Sequence, residues 1–476
     1  MQIILMQQLR EYFSSLRVQL GLLIVVAFFS INGLTSAWRM EQVDDQQQRG
    51  RAQVEDRLDV ESLYEASNTW LRAEGQATGT EFIAEGGFKW MWGRLDFLLN
   101  WAHPSWFFVA RDVNFWMTRF DDIDWLLVVR IVLSFLCIVL AYDGISGEVE
   151  RGTLRQILAN PLSRARLLTA KYLAGLLVVM VATLVGAVVS LLVLSLHGAI
   201  QFNLVLFTGI GLFVLGTMLY VSLFLFLALG VSALVRNSVA SLVLLTLAWA
   251  VFVVVVPQTS YLIAMQAGIE PEGGDDPGRF WTDAAWELRR ETVNALMRQG
   301  MNVRDSSLAV ADGYAQEQRL SRQLVTLSKE VERLNDDGLL RQLARYRVSR
   351  AVNLLSPGYA YQYATEALMG AGIVKRQSFY RQARAYREEV AQIVRERDAA
   401  DPNSPHLPQL MAFRSKAPLG EPGLPRFSER PPTWGERLEW GSVPLLVLVL
   451  EAVLACLFAV WAVNRTDVTG YAMSES

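Results

Sequence analysis

Charged residues are scarce in this sequence of 476 residues, since Asp, Glu, Lys and Arg together make up only 19% of it. Hydrophobic residues make up 52%, which is too large a share for a soluble globular protein of this length. The formal net charge is only −3, and the sequence contains no basic tail or RNA-binding motif. The composition therefore indicates a membrane protein and excludes nucleic acid as a partner.

Cysteine and histidine are also rare. Cys137 and Cys456 each lie inside an apolar run, so we interpret them as small core residues and expect no disulfide framework. The three histidines are far apart and lack the spacing of metal ligands, so no metal site is expected. The Gly-rich phosphate-binding pattern that ends in Gly-Lys-Ser/Thr is absent, so we expect no nucleotide site in this chain.

Apolar runs close to the roughly 20 residues that a helix needs to cross a hydrocarbon core recur along the chain. We predict six spans, at residues 18–37, 125–142, 172–196, 204–235, 239–256 and 442–463. The predicted fold class is therefore an all-α polytopic membrane protein. The first span also resembles a signal peptide, because Thr35, Ser36 and Ala37 match a small-residue cleavage site. Its apolar stretch is long for a signal peptide, and we interpret it as an anchor.

Basic residues in the short loops predict the orientation of the spans, because Lys and Arg collect on the cytoplasmic side. With an even number of spans, all of these residues fall on one side of the membrane. They are Arg10, Arg17, Arg151, Arg155, Arg164, Arg166, Lys171, Arg236 and Arg465. Both termini are therefore predicted to be cytoplasmic.

The spans and the orientation divide the chain into seven parts. These are the N-terminus with the first span (1–37), external segment 1 (38–124), the second span (125–142), a cytoplasmic loop (143–171), the third to fifth spans (172–257), external segment 2 (258–441), and the last span with the C-terminus (442–476). The two external segments lie on the same side, so we expect them to pack into one domain.

The external domain is predicted to be mainly helical. Apolar residues recur at threes and fours from Leu320 to Leu334 among charged residues, which indicates an amphipathic helix. A second helix is predicted at residues 378–397. The stretch 401–432 is rich in Pro, Gly and Ser, so we interpret it as an extended connector back to the membrane.

The sequence of the cytoplasmic loop after the second span predicts a sharp turn followed by a short helix. Gly144 and Gly147 permit a sharp turn where the chain leaves the membrane. Thr153 and Gln156 form a capping-box pattern that opens a short helix, which Asn160-Pro161 ends. The apolar face of that helix comprises Leu154, Ile157 and Leu158. Such a helix can lie along the bilayer surface and present its polar face to a partner.

This loop contains the pattern Ile-Ser-Gly-Glu-x-Glu-x-Gly-Thr-Leu from Ile145, then Asn-Pro-Leu-Ser-Arg, and finally Lys171 at the start of the next span. The pattern resembles the ABC-2 type permease family of ABC transporters. It also occupies the family's location, between the second and third spans. The family topology, six spans with cytoplasmic ends, matches the topology predicted above from the apolar runs and the basic loops.

The resemblance implies that the loop couples this membrane subunit to an ATP-binding subunit. In that family the loop docks in a groove on the nucleotide-binding domain, so ATP and Mg would be bound by a partner ATPase dimer, and no cofactor by this chain. The positions carried over for this contact are Glu148, Glu150, Arg151, Gly152, Thr153 and Arg155. The acidic pair can form charge-assisted hydrogen bonds to a basic rim.

A second pattern lies before the last span, where residues 353–368 are followed by residues 379–387. It resembles a bacterial subgroup of ABC-2 permeases that has a large external domain in this position. Members of the subgroup often accompany a second permease and an ATPase. The resemblance implies a bacterial cytoplasmic (inner) membrane with periplasmic external segments, and either a second copy or a paralogous permease as partner, besides membrane lipids.

Two ionisable residues are predicted to lie inside the membrane, where an isolated charge is costly. Glu451 is near the middle of the sixth span, and Arg130 is in the second. We interpret both as structural, with an ion pair if the two spans are neighbours. The alternatives are that they line a translocation path, or that Arg130 extends outward to the surface. Two aromatic groups are interpreted as interfacial or packing residues: Trp92, Trp101, Trp106 and Trp116, and Tyr359, Tyr361 and Tyr363.

The function favoured by these features is that of a permease subunit coupling a separate ATPase to efflux of an unidentified substrate, because ABC-2 permeases are mostly exporters. The size of the external segments supports a second hypothesis. In it the chain is a mechanotransmitter that uses ATPase strokes to act on a periplasmic partner without substrate flux. A third hypothesis, a receptor or scaffold with no ATPase, requires the loop resemblance to be accidental.

Overall fold

Helices make up most of the computed structural model of this chain. The residues that the structure describes are 2–58, 60–76, 78–84, 94–99, 106–107, 124–159, 163–235, 237–266, 283–288, 290–291, 294, 311–404, 406, 415–420 and 423–466. Among them one short β-sheet accompanies the helices. The predicted all-α class of polytopic membrane protein is confirmed, with this sheet as an addition.

Six helical segments are long and apolar enough to cross a membrane, as predicted. They are Leu16–Trp38, Trp125–Glu150, Arg164–Leu196, Leu204–Leu234, Ser238–Ser260 and Trp434–Arg465. The third begins earlier than predicted because Ser163 caps it, accepting a hydrogen bond from the backbone N–H of Arg166. The last also begins earlier, because Thr433 and Glu436 form a capping box ahead of the apolar run.

The helices are numbered here in chain order. They are α1 (Gln2–Ser14), α2 (Leu16–Leu58), α3 (Leu63–Asn68), α4 (Trp125–Leu127), α5 (Ser134–Ala141), α6 (Ser146–Glu150), α7 (Thr153–Ala159), α8 (Arg164–Leu196), α9 (Leu204–Leu234), α10 (Ser238–Trp249), α11 (Val256–Gln266), α12 (Ala311–Asn353), α13 (Pro357–Met369), α14 (Gly372–Ala400) and α15 (Trp434–Arg465). The π-helical turns Val128–Leu133 and Ala250–Val255 join α4 to α5 and α10 to α11.

The helix α9 packs closely against its neighbours through glycines. A Cβ atom on Gly230 would lie 3.2 Å from the Cα atom of Ala459 in α15, and one on Gly216 would lie 3.2 Å from the ring of Tyr361 in α13. Gly211 differs, since nothing lies within 4 Å of an added Cβ there. Close approach of the helix backbones therefore depends on Gly216 and Gly230.

The bundle has two ends, which we call the coupling face, where residues 143–171 lie, and the opposite face, where the long insertions lie. The helix α13 belongs to the second insertion but packs among the membrane spans near the opposite face. The hydroxyl of Tyr361 lies 2.9 Å from that of Thr217 in α9, and Gly441 of α15 packs against Ala367. Tyr359, Tyr361 and Tyr363 are all buried, which confirms their interpretation as packing residues.

The first insertion also enters the opposite end of the bundle. The Phe82 ring lies 5.1 Å from the ring of Trp125, and the Phe82 carbonyl accepts a hydrogen bond from Asn32 of α2 at 3.2 Å. The Trp125 indole N–H donates to Ser190 of α8 at 3.2 Å. Aromatic packing and buried hydrogen bonds thus join the first insertion to the first three spans.

Three antiparallel strands, β1 (Trp70–Glu74), β2 (Arg94–Leu98) and β3 (Trp106–Phe107), form the sheet in the order β1-β2-β3. Trp106, one of the tryptophans predicted to lie near the membrane interface, is in β3. The other tryptophans of that group, Trp92, Trp101 and Trp116, lie outside the described residues. Phe97 of β2 packs on Tyr386 of α14, with ring centroids 5.8 Å apart.

The buried carboxylate of Asp96 joins β1 and β2. It accepts hydrogen bonds from Arg94 and Arg72, the latter at 2.8 Å. Burial opposes ionisation of Asp96, but the hydrogen bonds and charges of the two arginines outweigh it and lower the pKa of the carboxyl. Two helices predicted for the second insertion are confirmed, since the stripe from Leu320 to Leu334 lies in α12 and residues 378–397 lie in α14.

We predict that Trp125→Ala lowers the free energy of unfolding by roughly 3–5 kcal/mol, because it opens a cavity in a fully buried cluster and removes the indole N–H that donates to Ser190. The measurement is unfolding in detergent micelles with increasing SDS. Trp38→Ala is the matched control, since Trp38 is 61% exposed, and its effect is expected to stay below about 1 kcal/mol. Equal effects of the two substitutions would contradict the packing described here.

Candidate functional site

The candidate functional site is the loop at residues 143–171, which folds into two short helices. Gly152 has a positive φ of 71°, a conformation that suits glycine, and it separates α6 from α7. Arg151 and Gly152 are exposed at the tip between the helices. Leu154, predicted to face the bilayer surface, is instead buried in the hydrophobic core of the chain. The side chain of Arg155 and the predicted helix end at Asn160-Pro161 lie outside the described residues.

The start of α6 is anchored by the hydroxyl of Ser232, near the end of α9. This oxygen accepts hydrogen bonds from the backbone N–H groups of Ile145 and Ser146, each at 3.0 Å. The Ser146 hydroxyl in turn lies 3.2 Å from that of Ser238, the first residue of α10. A helix start has free backbone N–H groups, so a buried serine from another helix can both satisfy them and fix their position.

Glu150 fixes the other end of α6 to α10. Its carboxylate accepts hydrogen bonds from the backbone N–H and from the hydroxyl of Ser238, both at 2.8 Å. A carboxylate at the start of a helix is stabilised by the free N–H groups and by the helix dipole. Glu150, which belongs to α6, therefore caps the start of α10. The helices α6 and α10 are joined at both Ser146 and Glu150.

Glu148 forms a largely buried ion pair with Lys171 of α8, with 2.5 Å between Oε1 and Nζ. The Lys171 side chain is only 2% exposed, and its ammonium group also donates to the side chain of Gln8 in α1 at 2.9 Å. The second carboxylate oxygen of Glu148 is buried without a hydrogen-bond partner. One lysine thus joins α1, α6 and α8, and removing either member of its ion pair with Glu148 is costly.

Two further arginines connect the loop to the spans. Arg17 of α2 forms an ion pair with Asp143 at 2.7 Å and also donates to Tyr142. Arg164, at the start of α8, donates to the backbone carbonyls of Val463 and Asn464 at 2.9 and 2.7 Å. Because the last carbonyls of a helix have no partner within it, Arg164 caps the end of the last span.

The predicted site residues therefore fall into two groups. The carboxylates of Glu148 and Glu150 accept hydrogen bonds from other helices of the same chain, whereas Arg151 and Gly152 are exposed. Thr153 lies between these groups, half-buried, with its hydroxyl donating to the Glu148 carbonyl at 3.3 Å. Contact of any of these residues with an ATPase stays a prediction.

Lys171, Ser232 and Ser238 are members of the site that sequence reasoning did not assign. A lysine at the start of an apolar run was a usable signal, because a cation at that depth needs a partner. The two serines gave no such signal, since serine is common at helix ends and within membrane spans.

The intramembrane residue Arg130 lies in a π-helical turn and finds partners on α13. Its guanidinium donates to Gln362, and its central carbon lies 4.4 Å from the centroid of the Tyr359 ring. The Arg130 carbonyl accepts a hydrogen bond from Tyr220 at 2.9 Å. Arg130 thus contributes to holding α13 in the bundle.

The other intramembrane residue, Glu451, is half-buried in α15, and its Oε2 atom is buried without a hydrogen-bond partner.

Two comparisons with known proteins both relate this chain to ABC transporter proteins. The family model described as "ABC-2 family transporter protein" matches residues 7–418. The chain is also similar to the probable ABC transporter permease protein NosY of Pseudomonas aeruginosa, with 44% identity over 55 residues. That match covers 12% of this chain and 20% of the relative, so the two are alike over about a fifth of the relative's length.

We predict that Lys171→Met lowers the free energy of unfolding by roughly 3 kcal/mol, because it leaves the largely buried carboxylate of Glu148 without its cation. Lys329→Met in α12 is the matched control, since Lys329 is exposed, and a change below about 0.5 kcal/mol is expected there. The double variant Glu148→Gln/Lys171→Met is expected to recover part of the loss. The measurement is again SDS unfolding, and additive effects of the two substitutions would contradict the ion pair.

Proposed function

This chain belongs to the ABC-2 family of transporter proteins, and we propose that it is the permease subunit that couples ATP hydrolysis by a separate ATPase to export of a substrate. In ABC transporters the permease spans the membrane and a partner subunit supplies the ATPase activity. The observation that carries the proposal is the attachment of the loop at residues 143–171. Its tip is exposed, and its base is bound by side chains of α1, α2, α8, α9 and α10.

The proposed coupling passes from the loop to the spans by three routes. Closure of the ATPases displaces α6, and α10 follows because Glu150 holds Ser238. The ion pair of Glu148 with Lys171 moves α8, and the ion pair of Asp143 with Arg17 moves α2. The bundle then repacks from one arrangement to another, as in other two-state conformational changes.

The two groups of site residues have different roles in this proposal. Arg151 and Gly152 at the exposed tip contact the ATPase, and Arg151 supplies the charged side chain of that contact. Glu148 and Glu150 transmit the displacement, because their carboxylates are already bound within the chain. ATP and Mg are bound by an ATPase dimer on the cytoplasmic side, and a second copy or a paralogous permease completes the transporter.

Mechanotransmission to a periplasmic partner is a second candidate function, which two observations favour. The helix α2 continues without interruption from Leu16 in the first span to Leu58 in the first insertion, a length of about 64 Å at 1.5 Å per residue. Parts of both insertions, α13 and the segment around Phe82, pack into the opposite end of the bundle. A continuous helix can carry a movement of the first span to the external domain.

Inside-out vesicles that contain the chain and its partner ATPase separate the two functions. The export proposal predicts ATP-dependent accumulation of a radiolabelled candidate from a panel of lipids, amphiphiles, peptides and polysaccharide precursors. Robust ATPase activity without accumulation of any candidate, together with an ATP-dependent change in protease protection of the external domain, would instead support mechanotransmission.

We predict that Arg151→Glu weakens association with the ATPase by at least about tenfold, because it reverses the charge at the exposed tip of the loop. Lys171→Met, a substitution inside the transmission network, is expected to leave association nearly unchanged and to lower substrate-stimulated ATPase activity. Arg333→Glu, in the exposed part of α12 far along the chain, is the control for the charge change. Association is measured by surface plasmon resonance with nanodisc-embedded protein. If Arg151→Glu bound the ATPase with wild-type affinity, the tip would not be part of the ATPase interface.

A further inference from the structure

A cavity of about 260 Å³ lies between α12, α14 and the first residues of α15. Its volume is below the range of about 300–1,000 Å³ that is typical of sites for drug-sized ligands. At about 30 Å³ per molecule it corresponds to roughly nine waters, or to a small polar headgroup. The cavity is distinct from the coupling loop, since it lies at the other end of α15.

The lining of this cavity is divided into an apolar and a charged part. Leu340, Leu343 and Val374 form the apolar part together with Trp440. The charged part comprises Arg376, Arg381, Glu436 and Glu439. A ligand that fits both parts has a charged group next to a hydrocarbon chain.

The charged part of the wall holds two arginines and two carboxylates, so its preference for an anion depends on how these groups are paired and exposed. The Glu436 carboxylate caps the start of α15 through Thr433 and forms an ion pair with Arg381. Glu439 is exposed, so water screens its charge. Burial lowers the pKa of Arg376 to about 10, because its guanidinium is partly withdrawn from water. A phosphate oxygen at this wall would receive charge-assisted hydrogen bonds from Arg376.

The position of the cavity matches that of lipid headgroups. Trp440 lies just before the apolar run of the last span, where tryptophans gather at membrane interfaces. Its indole N–H donates to Gln377 at 3.1 Å, and the guanidinium carbons of Arg350 and Arg347 lie 4.8 and 5.7 Å from its ring. Arginines and a tryptophan thus meet at the level where phosphates of the leaflet on the opposite face would lie.

We propose that this cavity binds the phosphate headgroup of an anionic phospholipid from the leaflet on the opposite face. Arg376 donates to the phosphate, and the start of an acyl chain lies along Leu340 and Leu343. The bound lipid joins α12 and α14 of the external domain to the last span. This site is additional to the proposed transport function and does not depend on it.

The experiment uses the full chain in nanodiscs of phosphatidylglycerol and phosphatidylcholine, with retained lipids counted by native mass spectrometry. The wild-type protein is expected to retain phosphatidylglycerol in preference, and Arg376→Gln to weaken retention about tenfold, the effect of losing one hydrogen bond between charged groups. The matched control Arg333→Gln removes an exposed charge from α12 and is expected to behave as wild type. Equal retention by the wild-type protein and Arg376→Gln would overturn the proposal.

Two further arms distinguish the sources of phosphate and guard against misfolding. An excess of inorganic phosphate is expected to leave the lipid bound, and displacement by phosphate alone would overturn the assignment to a lipid. A photoactivatable phosphatidylglycerol with its reactive group in the headgroup is expected to label wild-type peptides that contain Leu340, Leu343 or Arg376. This arm needs no variant, and labelling confined to other peptides would also overturn the proposal.

Discussion

The structure depends on one constraint: a polar group inside a membrane bundle must find its partner within the protein, because hydrocarbon offers none. At the coupling face this constraint holds the loop at residues 143–171 to the spans. Lys171 is buried and needs a carboxylate, which Glu148 supplies, and the free N–H groups at the start of α10 receive Glu150. The same side chains that satisfy local polar groups thereby link helices that are distant in sequence.

The opposite end of the bundle obeys the same constraint with different residues. Arg130 is buried in the second span, where its guanidinium donates a hydrogen bond to Gln362 and lies over the ring of Tyr359, both in α13. Their arrangement helps to keep α13 among the spans although it belongs to an insertion. The permease is therefore fixed at both ends by ionisable residues, one set next to the proposed ATPase contact and one set next to the external domain.

Much of this architecture could be predicted from sequence. Apolar runs identify the spans because helix length and membrane thickness are fixed, and the pattern from Ile145 to Lys171 identifies the loop. The partners of Glu148, Glu150 and Arg130 could not be predicted, because they depend on which helices become neighbours in space. The position of α13 was missed for a related reason: its residues are too few and too polar to signal a membrane span. The sheet was missed because its pairing joins β1 and β2, whose residues lie far apart in the chain.

The central claim is that the coupling loop and α10 move as one body when the ATPase binds ATP. Distances between spin labels test it in the assembled transporter, with Cys137 and Cys456 replaced by alanine and labels at the exposed positions Ala159, Val239 and Leu438. The account predicts that ATP leaves the distance between Ala159 and Val239 unchanged and alters the distance between Ala159 and Leu438. A changed distance between Ala159 and Val239 with no change to Leu438 would contradict it, since the loop would then slide on a static bundle.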